Sequence, residues 1–201
     1  MSKRYFLVGG VLIFLTGLTC VFYSLYQINN NAREESRAMD IARASILESP
    51  PDQTQPVSNT SQKPVEYHFK KGDVIGVLSI PRLERELPII EGTDGKELKK
   101  GVGHYSTTAL PQENDQIFLA GHRDTVFRNI GDLKSGDLLS IKMPSGTYSY
   151  EIFNSYIVEE HDTTVIRQTS PQEILTLSTC YPFNIYGSSN QRYILEAKRI
   201  Y

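Results

Sequence analysis

Tryptophan is absent from this 201-residue chain, and cysteine occurs only twice, at Cys20 and Cys180. A dense disulfide framework, the usual support of very small secreted domains, is therefore excluded. Basic charge is not in surplus either. Twenty-one Lys and Arg stand against 23 Asp and Glu, for a formal net charge of −2, which argues against nucleic acid as a partner. Internal repeats are missing, and there is one long apolar run. What the chain does have is Tyr (12) and Phe (8), enough aromatic bulk to fill a β-rich core, and a length that suits one domain with an extra segment.

The apolar run is at the N-terminus, in "MSKRYFLVGGVLIFLTGLTCVFYSLYQINN". No charge falls between Tyr5 and Ile28. At about 1.5 Å per helical residue this is long enough for a hydrocarbon core of roughly 30 Å. A cleavable signal peptide needs a shorter apolar stretch and a small-residue site, but Tyr23, Leu25, Tyr26 and Gln27 follow instead. Residues 1–28 are therefore expected to be an uncleaved anchor. Lys3 and Arg4 place its N-terminus in the cytoplasm and the rest of the chain outside, with Tyr5, Tyr23 and Tyr26 near the two interfaces. Cys20 falls inside the anchor and reads as a lipid-facing residue, which leaves it unable to pair with Cys180.

Residues 29–69 form an extracellular linker of two textures. Ala32 to Glu48 is charged, rich in helix formers, and spaces Met39, Ala42 and Ile46 helically. "SPPDQTQPVSNTSQKP" has almost nothing apolar to bury and reads as a flexible spacer. From about residue 70 onward the texture changes again. "DVIGVLSI", "ELPIIEG", "QIFLAGH", "DLLSIKM", "TYSYEIFNSYIV", "EILTLSTC" and "RYILEAKRI" are short β-branched and aromatic runs separated by Gly, Pro, Asn and Asp, the pattern of an all-β barrel or sandwich. Pro144–Gly146 reads as a tight hairpin turn. "DGKELKKGVG" reads as a helical insertion, its lysines a solvated face and its glycines the stop.

Cys180 ends the run "LTLSTC". Most free cysteines are buried and inert, so the residue type alone decides nothing. His122 ends "FLAGH", and Arg192 begins "RYILEAKRI". Three strand ends thus carry His, Cys and Arg, in that order along the chain, and strand ends are where a rigid sheet presents side chains to a ligand. His104 in "GVGHY" reads as a locally bonded loop histidine, His161 as part of a polar turn, and His68 as part of the linker edge. Asp124, two residues after His122, reads as a helix cap or as a group that orients the imidazole, the cap being preferred.

"TLSTC" is similar to the T-L-x-T-C motif of sortases, the cysteine transpeptidases of Gram-positive cell surfaces. "LAGHRDTVFRNIGDLKSGD", "IPRLERELPIIEG" and "GVGHY" match the same pattern, and "HRDTVF" running into "GDLKSGD" most resembles class D. The likeness covers residues 70–201 and fits the N-terminal anchor. It implies an eight-stranded sortase-type β-barrel with short helices, an active site at one end, and His122, Cys180 and Arg192 as catalytic residues. It further implies cleavage of an LPxTG- or LPxTA-like sorting signal after Thr through a thioacyl intermediate. An amine of the cell wall or of a pilin then takes up the acyl group.

The same resemblance puts the sorting signal by the connection at about Glu159–Glu173, where Val165, Ile166 and Pro171 are the apolar members, and sets Thr179 just before the cysteine. No cofactor is required, although calcium stimulates some sortases and Glu159, Glu160 and Asp162 are nearby. Two alternatives stay open on residues alone. A non-catalytic anchored β-domain leaves the His–Cys–Arg coincidence unexplained. An anchored cysteine hydrolase of papain type would place Cys before His, and a wall cross-linking L,D-transpeptidase would place His close before Cys.

Overall fold

In a computed structural model, residues 2–47, 68–185 and 187–201 are described; the spacer expected from the sequence lies mostly outside them. The chain begins with one 46-residue helix, α1 (Ser2–Leu47). Its apolar part is long enough to cross a membrane, and among the described residues none of its most apolar stretch is buried. The Thr16 hydroxyl is satisfied within the helix, donating to the Ile13 carbonyl at 2.8 Å. This internal bond is how a hydroxyl avoids an unmet polar group in an apolar setting.

The helix runs on without a break past Ile28, about 28 Å further at 1.5 Å per residue. This second half rests on the barrel, against β1 (Val74–Ile80), β2 (Arg85–Glu91) and β5 (Leu138–Met143). Ala38 and Ala42 are buried there, and Arg43 bonds Glu86 at 3.2 Å. The apolar spacing read from the sequence singled out Met39, Ala42 and Ile46. The structure buries Ala42 as expected, adds Ala38 beside it, and leaves Met39 and Ile46 half-buried, because close approach of a helix to a sheet favours the smallest side chains.

The remaining strands are β3 (Val102–His104), β4 (Gln116–Ala120), β6 (Gly146–Glu159), β7 (Ile174–Tyr181) and β8 (Gln191–Ile200). They close in the order β1-β2-β3-β4-β7-β8-β6-β5, so the expected eight-stranded barrel forms and leaves no free edge. Pairing is antiparallel except for β2 with β3 and β4 with β7. The β5–β6 hairpin turns at Pro144 and Ser145, with Met143 opposite Gly146, as its sequence predicts.

Two expectations are corrected. The segment 94–100 is a series of turns rather than a helix, with a single helical bond from Leu98 N–H to the Asp94 carbonyl at 3.0 Å. His104 is a strand residue rather than a loop residue. It is buried, with Nδ1 2.7 Å from Glu91 Oε2.

Ile, Leu and Val from all eight strands fill the barrel, and tyrosine supplies the bulk that tryptophan does not. Tyr150 is fully buried, and its hydroxyl donates to Glu173 Oε1 at 2.6 Å. Burial, and then the Glu173 charge, push the phenol far above its ordinary range, so it stays protonated and donating. The Arg199 guanidinium lies 4.9 Å from the Tyr148 ring centre and 5.5 Å from that of Tyr150, a stacked cation that closes this end of the core.

Candidate active site

β4, β7 and β8 are neighbours in the barrel, and their ends bring the sequence candidates together. β4 and β7 run parallel, with Ala120 level with Ser178. The pairing continues one residue further, Gly121 N–H donating to the Ser178 carbonyl at 3.1 Å. His122 follows directly and is exposed, while Cys180 is a half-buried free thiol. On its other side β7 runs antiparallel to β8, and Cys180 stands directly opposite Arg192. Imidazole, thiol and guanidinium therefore share one barrel end, each carried by a strand terminus.

Their supports are buried. Thr179 is 3% exposed, and its hydroxyl donates to the Gly121 carbonyl at 2.7 Å. This ties the residue before the thiol to the residue before the imidazole, with the Thr179 side chain buried inside the fold. Gly121 must be glycine, since a side-chain carbon there would fall 2.7 Å from Val126 and Phe127. Arg123, beside His122, is 8% exposed and turns away from solvent. It donates to the Pro182 carbonyl at 3.0 Å and the Gly187 carbonyl at 2.7 Å, both in the loop after Cys180. The same loop packs Phe183 edge-on to Tyr181 and Tyr193, at 5.3 and 5.2 Å between ring centres. Gly131 also lets it approach, since a methyl group there would meet the Phe183 ring at 2.5 Å.

Arg192 is held in turn. Its Nη2 donates to Glu160 Oε1 at 2.5 Å, and Nη1 reaches the carbonyls of Gln191 at 3.2 Å and Ser189 at 3.3 Å. Asp124, by contrast, caps no helix. The residues after His122 form turns, and its backbone carbonyl accepts from Arg128 at 2.7 Å.

The β6–β7 connection, Glu160 to Glu173, runs beside this end. Val165 is 7% exposed and packs with Phe118 and Ile194, and Ile166 lies half-buried against them. Val165 is thus mainly a packing residue, and Ile166 the more available of the pair. The connection is pinned to the start of β4. Asp115 accepts from the backbone N–H groups of Thr169 at 2.6 Å and Ser170 at 3.2 Å. The backbone N–H of Thr169 and the other donors around it hold the Asp115 carboxyl below its ordinary range. Gln116, buried, donates to the Val165 carbonyl at 2.8 Å and accepts from Arg167 N–H at 2.9 Å.

Of the acids near this loop, Glu160 bonds Arg192, Glu159 accepts from Gln191 at 3.2 Å, and Asp162 accepts from Thr164 N–H at 2.9 Å. Among the described residues no group of three or more His, Cys, Asp or Glu is placed to hold a metal ion. Sequence reading did not reach Arg123, Asp115, Gln116 or the Arg192–Glu160 pair. Their partners lie 32 to 64 residues away, where no local pattern points.

Residues 78–200 match the profile of the sortase domain. Sortase D of Bacillus subtilis is 39% identical over 189 residues, which is 94% of this chain and 96% of that protein. Among solved structures, a Clostridium perfringens Sortase D5 transpeptidase superposes with a TM-score of 0.61 at 33% identity, over 66% of this chain and 82% of that one. The SrtA sortase from Actinomyces oris superposes at 0.63 with 28% identity, over 71% and 88%.

Proposed function

This chain belongs to the sortase family of cysteine transpeptidases, and from that premise we propose that its reaction runs on Cys180, His122 and Arg192. As a sortase it acts on surface-protein substrates and amine acceptors. The observation that carries the residue assignment is their convergence: β4, β7 and β8 end together, with Cys180 opposite Arg192 and Thr179 tied to Gly121 beside His122.

The Cys180 thiolate attacks the carbonyl carbon of the scissile peptide bond. His122 protonates the departing amine nitrogen as the C–N bond breaks, which leaves a thioester on Cys180. An acceptor amine then forms a new C–N bond and gives the surplus proton of its nitrogen to His122, the C–S bond breaks, and sulfur leaves as thiolate. Arg192 keeps its proton throughout and is suited to donate to the oxyanion of each tetrahedral state. Each step uses a thiol, an imidazole and a guanidinium, and none calls for a cofactor.

In this reading the cleaved signal is of LPxTG or LPxTA type. Its apolar residues lie by the β6–β7 connection, nearer Ile166 than the packed Val165. The acceptor is a wall-peptide amine or a pilin lysine. α1 anchors the enzyme with its N-terminus in the cytoplasm and the barrel outside, a topology supported by Lys3 and Arg4 before the charge-free stretch.

The test is cleavage of a sorting-signal peptide by the full chain, with mass detection of the acyl-enzyme. Wild type forms a thioester and Cys180→Ala does not. Retained cleavage in Cys180→Ala ends the reading.

A further inference from the structure

An arginine that serves an oxyanion has to be in place before the charge develops, because a donor still to be oriented gives little in the transition state. Its long stem works against this, since it carries much rotamer freedom. The structure holds Arg192 at three points. Nη1 donates to the carbonyls of Gln191 and Ser189 at 3.2 and 3.3 Å, and Nη2 donates to Glu160 Oε1 at 2.5 Å. A guanidinium has five N–H donors. With three engaged, the Nε–H and one Nη2–H have no partner among the described residues.

The two carbonyls lie within three residues of Arg192, so they travel with it. Glu160 is different, for it comes from the end of β6, 32 residues away. Its own backbone is fixed, the N–H donating to the Asn190 carbonyl at 2.6 Å. The register explains the reach. Val158 stands opposite Arg192, and Glu160, two residues on, presents its side chain on the same face. β8 lies between β6 and β7, so Arg192 has Glu160 on the β6 side and Cys180 opposite on the β7 side. The neighbouring acids are used elsewhere, Glu159 on Gln191 and Asp162 on the Thr164 N–H. A lone surface ion pair restrains little. This pair adds the third point to a hold that two backbone carbonyls begin, and both of its side chains are partly covered.

We propose that Glu160 is a positioning residue for transpeptidation: its carboxylate sets the rotation of the Arg192 guanidinium and keeps the Nε–H and the remaining Nη2–H available to the oxyanion. This rests on the transpeptidase reading above and deepens it. Glu160 touches no reacting atom and takes no proton. It acts before the thiolate attacks and again before the acceptor amine does, because both tetrahedral states carry their negative oxygen to the same donor.

The test uses the full chain in detergent and two measurements. The first is single-turnover acylation by a sorting-signal peptide, followed by mass. Glu160→Ala lowers the acylation rate constant by about tenfold, a fraction of what losing an oxyanion donor outright costs, and leaves KM for the peptide within about twofold. Glu160→Gln, which keeps an acceptor oxygen in place, recovers part of the loss. In an Arg192→Ala chain, adding Glu160→Ala costs less than about twofold more, because no fork is left to orient. The second measurement needs no turnover. In the inert Cys180→Ala chain carrying isotope-labelled arginine, the Arg192 side-chain N–H signals in NMR, identified by their loss in Arg192→Lys, report slow rotation of the guanidinium, and Glu160→Ala speeds it. Unchanged or faster acylation in Glu160→Ala overturns the proposal. So does an equal loss in the Arg192→Ala background, or a loss that comes with a lower Tm and that Glu160→Gln does not relieve. Failure of the wild-type chain to form a thioester strikes the transpeptidase reading, whereas an Arg192 that turns as freely with Glu160 as without it strikes the positioning role alone.

Discussion

Two seams bring distant parts of this chain together, and they are built differently. Where β4 meets β7 and the loop beyond it, the contacts are buried and directed at backbone. Thr179 bonds the Gly121 carbonyl, Arg123 bonds two loop carbonyls, and Gln116 bonds the Val165 carbonyl. Where α1 meets the barrel, two alanines supply close contact, and a directed bond is the surface pair of Arg43 with Glu86. Buried bonds to backbone fix position, because breaking one leaves an unmet polar group. A solvated ion pair fixes little. The first seam holds the groups proposed to react, whose alignment a small displacement would spoil. The second holds a helix that only has to stay near.

The comparison breaks hardest at the thiol. Cys180→Ala and His122→Ala should each reduce thioester formation by a factor on the order of 10³ or more, since the two act as a unit. Arg192→Lys, which keeps charge but loses the planar fork, should fall about 10²-fold if the guanidinium serves the oxyanion. Single-turnover acylation followed by mass spectrometry measures all three, and wild-type rates in the Arg192 variant would remove that role. Across pH, the wild-type rate should be bell-shaped and should report the coupled pair rather than either group alone.

Next in size is Arg123→Met, which leaves the Pro182 and Gly187 carbonyls without their donor. About 1.5–3 kcal/mol of stability should go, the range for bonds to a charged group, and kcat should fall more than KM changes. Urea unfolding and steady-state kinetics on the same protein check this. An intact kcat would show that the loop holds its place without the arginine. A smaller loss, about 1 kcal/mol, is expected for Thr179→Val, which keeps the β-branch and deletes the hydroxyl.

Smallest should be the helix seam. Arg43→Ala should change stability by less than about 1 kcal/mol and leave acylation of the sorting-signal peptide at the wild-type rate. A large effect on either would mean that the two seams are alike.

Acid separates them in another way. Burial pushes Glu91 up, but its hydrogen bonds with His104 and Ser106 outweigh that and leave the carboxyl below its ordinary range. Asp115 is likewise lowered, chiefly by the Thr169 N–H. Both folded values are depressed, so the stability these groups add is present above the unfolded values near 4 and is lost as pH falls through the folded ones. Melting curves from pH 7 to 3 should show Tm dropping at the acidic end, with a flatter profile in Asp115→Asn.

The barrel was largely legible because its strands are β-branched runs between turn residues, and the convergence of His122, Cys180 and Arg192 because each stands at one end of such a run. β3 was not. Three residues are too few to show a period, and only the pairing of Val102 with Ile89 and of His104 with Leu119 makes them a strand. "DGKELKK" has helix-forming composition but a single helical bond, since a nucleus that short does not sustain itself. Arg123 looked like any charged residue after a histidine. Its burial follows from a loop that starts 59 residues later, and that information is in the fold rather than in the neighbourhood.

Parallel pairing of β4 with β7, and the position of β8 between β7 and β6, also set an order in time. Segments close in sequence, such as the β1–β2 and β5–β6 hairpins, can pair as soon as they exist. β7 must wait for a partner 58 residues behind it, and its other side is completed only by the last ten residues of strand. Contacts of such long separation form late. The thiol therefore acquires its neighbours only when the chain is whole and the barrel shut, so an unfinished or interrupted copy carries a cysteine without carrying the activity.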